Sequence, residues 1–285
     1  MVIAPNGGFG NRIRTMVSAI YLADKLNMNL EHLWIGIPWF CLLSHIQSIH
    51  DKSFEYFFKP AIRRCDYKHM KNQLNKAYSE WIEPPFYWHQ FQSYGWYQFQ
   101  SYGQKILDIT VTNDLSCVNE TMDTTENFLI ETTYIENLSI TRTDKTNIYK
   151  KYFIAHDNFL NELSIIPLNT IGISFITKDF YCYFPDSKIQ NEVLIKWLSS
   201  INSPVILFSD DTNYQLEMRK YLKEPIVRNF ENNDVTDDNG FLQFLQLSRC
   251  SKLYGTTMSS FCEEAAYFGG VEYTPLTKEF FSIYV

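Results

Sequence analysis

The stretch Met1-Val-Ile-Ala-Pro5-Asn-Gly-Gly8-Phe-Gly10-Asn-Arg12-Ile-Arg14 decides how the rest of the chain is read. Val2 to Ala4 is a short apolar run, which predicts a buried strand, and Pro5 and Asn6 end it. Gly7, Gly8 and Gly10 then allow a sharp turn and a close approach of backbone to a ligand. From Asn11 a helix pattern begins, with Ile13, Met16, Val17, Ile20, Ala23 and Leu26 on one face. Arg12, Arg14, Ser18, Lys25 and Asn27 fall mostly off that face, so Arg12 is expected as an exposed first-turn residue. A strand, a glycine loop and a helix N-terminus together make an anion site, because unpaired N–H groups and the helix dipole point at the loop. A plain strand-to-helix turn explains the same glycines. The spacing is neither Gly-x-Gly-x-x-Gly, since Ile13 stands at the third place, nor a P-loop, which ends in Lys-Ser/Thr.

Moving outward, the second half has an α/β rhythm. Strands are expected at 170–176, 204–209, 225–228, 252–254 and 271–273, with helices from about 187 to 201, after Ser209 to Leu222, over 241–249 and over 259–268. Such alternation predicts a parallel sheet with helices on its faces. Ligands in these sheets lie at the carboxyl ends of the strands. Asp210 and Asp211 follow one such end. They read either as a helix cap or as a carboxylate for a ligand's base or ribose. Gly255-Thr-Thr-Met-Ser-Ser-Phe261 follows another. Its Thr256, Thr257, Ser259 and Ser260 hydroxyls sit where backbone N–H groups are also expected, as a phosphate cradle or an ordinary Ser cap.

The first half is less regular. Leu30 to Ile37 and Phe128 to Tyr134 read as strands, Thr141 to Asn147 as an exposed polar segment, and Tyr149 to Leu163 as one helix. Trp34, Pro38 and Trp39 read as core or as an acceptor-facing aromatic cluster. Phe91-Gln-Ser-Tyr-Gly95 repeats as Phe99-Gln-Ser-Tyr-Gly103, too short a period for a solenoid, which leaves a hairpin or loop duplication. With 285 residues two domains are expected, 1–165 and 166–285. A formal charge of −7 argues against non-specific nucleic-acid binding. The cysteines are spread singly, without a Cys-x-x-Cys pair, so no structural zinc is expected. No signal peptide precedes the first strand and no apolar run reaches ~18 residues. The expectation is a cytoplasmic protein with no membrane span.

Three segments in order resemble one family. "GGFGNRIRTMVSAIYLADKL" (7–26), "VILFSDDTNYQLEMRKYL" (205–222) and "FLQFLQLSRCSKLYGTTMSSFCEEAAYFGG" (241–270) are similar to the fucosyltransferase superfamily of α-1,6-, nodulation and protein O-fucosyltransferases. The resemblance is thin from about 40 to 125. It implies an α/β fold of two Rossmann-like domains facing a cleft (GT-B-like), an acceptor-side domain over 1–165 and a nucleotide-sugar domain over 166–285. It also implies inverting, metal-independent fucosyl transfer from GDP-fucose to a glycan or glycoprotein hydroxyl, without a cofactor. Gly7, Gly8 and Gly10 would approach the donor, and Asn11 and Arg12 would reach across to it. Asp210 or Asp211 would face the guanine or ribose, and Ser259, Ser260 and Phe261 would surround the diphosphate, with Thr257 a donor-binding candidate from the hydroxyl cradle.

One departure stands out. The family has His-x-Arg after the first strand of its second domain, and this chain has Ser174 at the His place and Ile176 at the Arg place. The missing cation would come from Arg12 first, then Lys178, with Arg14 a further candidate. Asp179 is taken as the general base, although the sequence singles none out. A catalytically inactive nucleotide- or glycan-binding relative is the alternative that Ile176 motivates. An unrelated dinucleotide enzyme is disfavoured by the glycine spacing.

Overall fold

The computed structural model describes residues 2–5, 8–32, 34, 52–64, 104–106, 109–112, 127–132, 140–163, 165–176, 191–227, 237–257 and 259–284. Gly7, Pro38, Trp39, the duplicated 91–103 stretch, Lys178 and Asp179 lie outside the described residues. The chain divides into two compact units, Met1–Ile154 and Ala155–Val285.

The first unit is built on a six-stranded sheet in the order β3-β2-β1-β6-β5-β4. Its strands are β1 (Val2–Pro5), β2 (Glu31–His32), β3 (Arg63–Arg64), β4 (Gln104–Ile106), β5 (Ile109–Thr112) and β6 (Asn127–Thr132). All neighbours run parallel except β4, which pairs antiparallel with β5. Helix α1 (Phe9–Leu26) leaves β1 through Gly8. Asn27 ends α1 in the left-handed conformation (φ 52°), and its N–H returns to Ala23 O and Asp24 O. Asn is one of the few residues other than Gly that adopts this geometry readily.

The helix starts two residues before the expected Asn11, which puts Gly10 inside its first turn. The expected polar flank is also corrected. Ile13, Met16, Val17, Ile20 and Ala23 are buried, but so are Arg12, Arg14, Thr15 and Ser18. Ser18 Oγ donates to Arg14 O at 2.9 Å, four residues back, so the buried hydroxyl is satisfied within the helix.

Beside α1 lies an aromatic core. Phe9 meets Trp34 and Phe57 edge-on at 6.0 and 5.5 Å, and Trp34 meets Phe54 at 5.5 Å. Phe54, Phe57 and Phe58 come from α2 (Phe54–Phe57) and its C-cap. Edge-to-face packing aligns the positive ring edge with a negative face. Trp34 is therefore core.

The single helix expected over 149–163 is two. Helix α3 (Arg142–Tyr152) starts at a capping box: Thr141 Oγ1 accepts from Asp144 N, and Asp144 Oδ2 accepts from Thr141 N at 3.3 Å. The polar segment 141–147, exposed or half-buried as expected, forms this cap and the first turns of α3. Phe153 breaks the helix by burying its ring against Phe54 and Phe58 at 5.6 and 5.2 Å. Helix α4 (Asp157–Glu162) follows and seats Phe159 on Phe241 at 4.9 Å, within the second unit.

The second unit holds four parallel strands, β7 (Ile171–Phe175), β8 (Val205–Ser209), β9 (Lys252–Thr256) and β10 (Glu272–Leu276), in the order β10-β9-β7-β8. Helices α5 (Asn191–Ser200), α6 (Thr212–Arg219), α7 (Asp237–Leu247), α8 (Ser260–Gly269) and α9 (Lys278–Phe281) complete it. Ile173, Phe175, Val205 and Leu207 point to one face and pack with Leu194, Trp197 and Leu198 of α5. The opposite face takes α7 and α8 very closely. A Cβ on Gly172 would overlap Leu253 and crowd Cys250 and Leu247, so glycine is what lets that layer sit down.

Two expectations fail in this unit. Residues 225–227 form no strand. Pro225 makes a lone bridge to Val205, flanked by Val205 N to Glu224 O at 2.9 Å and Ile226 N to Val205 O at 2.8 Å. Proline has no N–H to extend a ladder. The helix expected over 241–249 begins four residues earlier, at Asp237.

Candidate functional site

In each unit the topology singles out one strand end. In the second unit, β7 leads through α5 to β8 on one side, whereas β9 leads through α8 to β10 on the other. The switch point is therefore between β7 and β9, and the crevice opens at their carboxyl ends. In the first unit β1 lies between β2 and β6, and its carboxyl end runs into Gly8 and α1.

The end of β9 turns into α8 within four residues. Ser259 caps α8, its Oγ accepting from Cys262 N at 3.5 Å, and Ser259 N donates to Thr256 O at 3.0 Å. Ser260 and Phe261 form the first turn of α8, half-buried, with Phe261 against Phe244 at 5.8 Å. First-turn N–H groups have no partner within their own helix, and the helix dipole adds partial positive charge there. Thr257 Oγ1 donates to Leu276 O at 2.9 Å. Burial pushes the Cys262 thiol far above its usual pKa, and its S–H donates to Tyr254 O at 3.5 Å. It is an inert core thiol beneath the turn.

At the end of β8, Asp211 is the N-cap of α6. Its Oδ1 accepts from Asn213 N at 3.0 Å and Tyr214 N at 3.1 Å. Ser209 Oγ accepts from Asp211 N at 3.1 Å and donates to Asp210 Oδ1 at 3.4 Å. Asp210 is exposed. The two adjacent carboxylates thus separate into a helix cap and a solvent-facing group.

At the end of β7, Ser174 is 5% exposed within the strand and pairs with Phe208 and Gly255. Ile176 follows the strand, half-buried, and its N–H donates to Thr256 Oγ1 at 3.3 Å. The Thr256 hydroxyl, offered by the sequence as a ligand group, is thus an internal tie, and Thr256 is 5% exposed. Its partner lies 80 residues away, so no local signal exposes the contact.

In the first unit, Gly8 is exposed, with φ −65° and ψ 163°, and a Cβ added there would meet nothing within 4 Å. Its backbone is one any residue can adopt, so the turn itself does not require glycine at this position. Asn11 is half-buried in the first turn. Arg12 overturns its expected exposure: it is 2% exposed, with its guanidinium 5.5 Å from the Trp34 ring centroid. A planar guanidinium stacks on an indole face while its stem packs among apolar groups. Among the described residues, no group of three or more His, Cys, Asp or Glu side chains is placed to hold a metal ion. Nor is any helix among them long and apolar enough to cross a membrane.

Solved structures match this architecture over nearly the whole chain. A GDP-bound variant of Arabidopsis thaliana FUT1 is 12% identical with a TM-score of 0.57, covering 95% of this chain and 68% of that one. The fucosyltransferase NodZ from Bradyrhizobium is 12% identical with a TM-score of 0.56, covering 93% and 91%. POFUT1 in complex with GDP-fucose is 13% identical with a TM-score of 0.52, covering 96% and 95%. The chain shares the fold of these fucosyltransferases. No family model and no curated protein matches the sequence. Within this fold, the second unit brings Ser174, Ile176, Asp210, Asp211, Thr257, Ser259, Ser260 and Phe261 to the carboxyl edge of one parallel sheet.

Proposed function

We propose that the chain is an inverting, metal-independent glycosyltransferase of GT-B type that moves fucose from GDP-fucose to a hydroxyl of a glycan or glycoprotein. The observation that supports this best is the opened end of β7 and β9, where the N-terminus of α8 faces the switch point of a fucosyltransferase fold. In this reading the diphosphate lies on the first-turn N–H groups of α8, beside Ser259, Ser260 and Phe261. Exposed Asp210 takes the base or ribose, whereas Asp211 holds α6. Gly8 lets backbone approach the donor, and Asn11 offers an amide to it.

The acceptor oxygen attacks the anomeric carbon on the face opposite the nucleotide. The carbon–oxygen bond to phosphate breaks, and GDP leaves with the electron pair. Asp179 takes the acceptor proton. Catalysis then comes from positioning and from stabilising the leaving diphosphate. Lys178 follows β7 closely and supplies the cation that Ile176 lacks. Arg12, buried on Trp34, contributes by holding the Gly8 turn.

Ser174 and Ile176, standing where the family has His and Arg, favour one rival: a nucleotide-binding relative without turnover. The test is GDP release from GDP-fucose in EDTA, with and without a mixed glycan acceptor, beside calorimetric GDP binding. Acceptor-dependent release supports the transferase. Binding without release selects the rival, and no binding of either compound rejects both.

A further inference from the structure

We propose that Thr256 is a positioning residue for the donor site. Its hydroxyl fixes the Phe175–Ile176 peptide across the β7–β9 switch point, at the carboxyl edge of the sheet. The proposal rests on the nucleotide-sugar reading above.

The parallel ladder between β7 and β9 runs from Ile171↔Lys252 to Ser174↔Gly255. Just beyond it, the Ile176 N–H meets no strand carbonyl and donates instead to Thr256 Oγ1 at 3.3 Å. The carbonyl of the same peptide is taken from the other side, where Asp210 N donates to Phe175 O at 3.3 Å. One peptide group is thus gripped by the residue after β8 at its oxygen and by the last residue of β9 at its hydrogen. Both grips lie where the strands part and the ladder stops.

Thr256 is also tied to the start of α8 and to β10. Its carbonyl accepts from Ser259 N at 3.0 Å, which sets the turn into α8, and from the Tyr273 hydroxyl of β10 at 3.3 Å. A β-branched side chain suits the task because its χ1 is stiff. Valine would fill the same space but leave the half-buried Ile176 N–H without its acceptor, so the bond is lost. The consequence would fall on Ile176 and on the carboxyl edge between β7 and β9.

The test compares Thr256→Val, Thr256→Ser and a control, Ser251→Ala. Ser251 Oγ donates to Thr170 O at 2.9 Å, so the control removes a similar bond at the amino end of the same strand pair. GDP affinity is measured by calorimetry, donor KM and kcat by GDP release, and stability by melting. Thr256→Val is expected to weaken GDP binding about tenfold and to raise donor KM by a similar factor. Thr256→Ser should restore both, and Ser251→Ala should lower the melting temperature but leave GDP affinity at wild type. If Thr256→Val does not fold, Thr256→Ala removes the same hydroxyl and carries the same expectation. Wild-type affinity in the variant lacking the hydroxyl overturns the proposal alone. Equal loss in Ser251→Ala also overturns it, making Thr256 merely structural. Failure of the wild type to bind GDP overturns the nucleotide reading and this proposal with it.

Discussion

Replacing Arg12 with Ala should unfold the first unit more readily. The side chain is 2% exposed and its guanidinium stands over the Trp34 ring at 5.5 Å. Three losses add: the packed stem, the desolvated cation–π contact and the cavity left behind. Together they are worth about 3 kcal/mol. For a unit of this size, that lowers the melting temperature by about 6–12 °C. Arg12→Lys keeps the charge but loses the planar stacking face, and should fall between wild type and Arg12→Ala. Calorimetric or circular-dichroism melting of the full chain reads the effect. An Arg12→Ala variant that melts with the wild type would show that this contact adds no stability, and would return Arg12 to the role of an exposed donor cation.

Asp211→Ala should cost about 1 kcal/mol by uncapping α6. GDP affinity should hold in that variant and fall in Asp210→Asn, as paired calorimetry and melting would read. Gly8→Ala should keep or slightly raise stability, since the added Cβ meets nothing within 4 Å. It should nonetheless weaken donor binding if backbone approaches the ligand there, and unchanged affinity would leave Gly8 as a plain turn. His32 is 1% exposed, with Nε2 3.1 Å from Glu55 Oε1 and with Glu31 and Arg64 nearby. Burial holds its pKa below the usual histidine value, so its stabilising contribution is present above that value and is lost as pH falls through the depressed one. Melting temperatures between pH 7.5 and pH 5, roughly the range in which histidine titrates, should decline more in wild type than in His32→Gln.

Much of the second unit is legible in the sequence because its strands are short apolar runs bounded by turn residues. Four of the five expected strands are present, and the fifth failed at Pro225, where a missing N–H leaves only a bridge to Val205. Asp211 is legible as a cap because it directly precedes a helix. The buried flank of α1 is not legible, since Arg12, Arg14, Thr15 and Ser18 read as polar wherever they lie. The break between α3 and α4 depends on where the Phe153 ring finds partners, which no local pattern records. Of the candidate site, the two loops at strand ends are readable from spacing. The roles inside them are not, because Asp210 and Asp211 look alike and Thr256 meets Ile176 from 80 residues away.

The most direct test of the central claim is the hydrogen-exchange footprint of GDP on the full chain in EDTA. If the donor nucleotide sits at the switch point, amides in 174–176, 209–211 and 256–261 should slow on binding, and the amino ends of β7 and β9 should not. Binding of GDP with no protection at 256–261 would contradict the account.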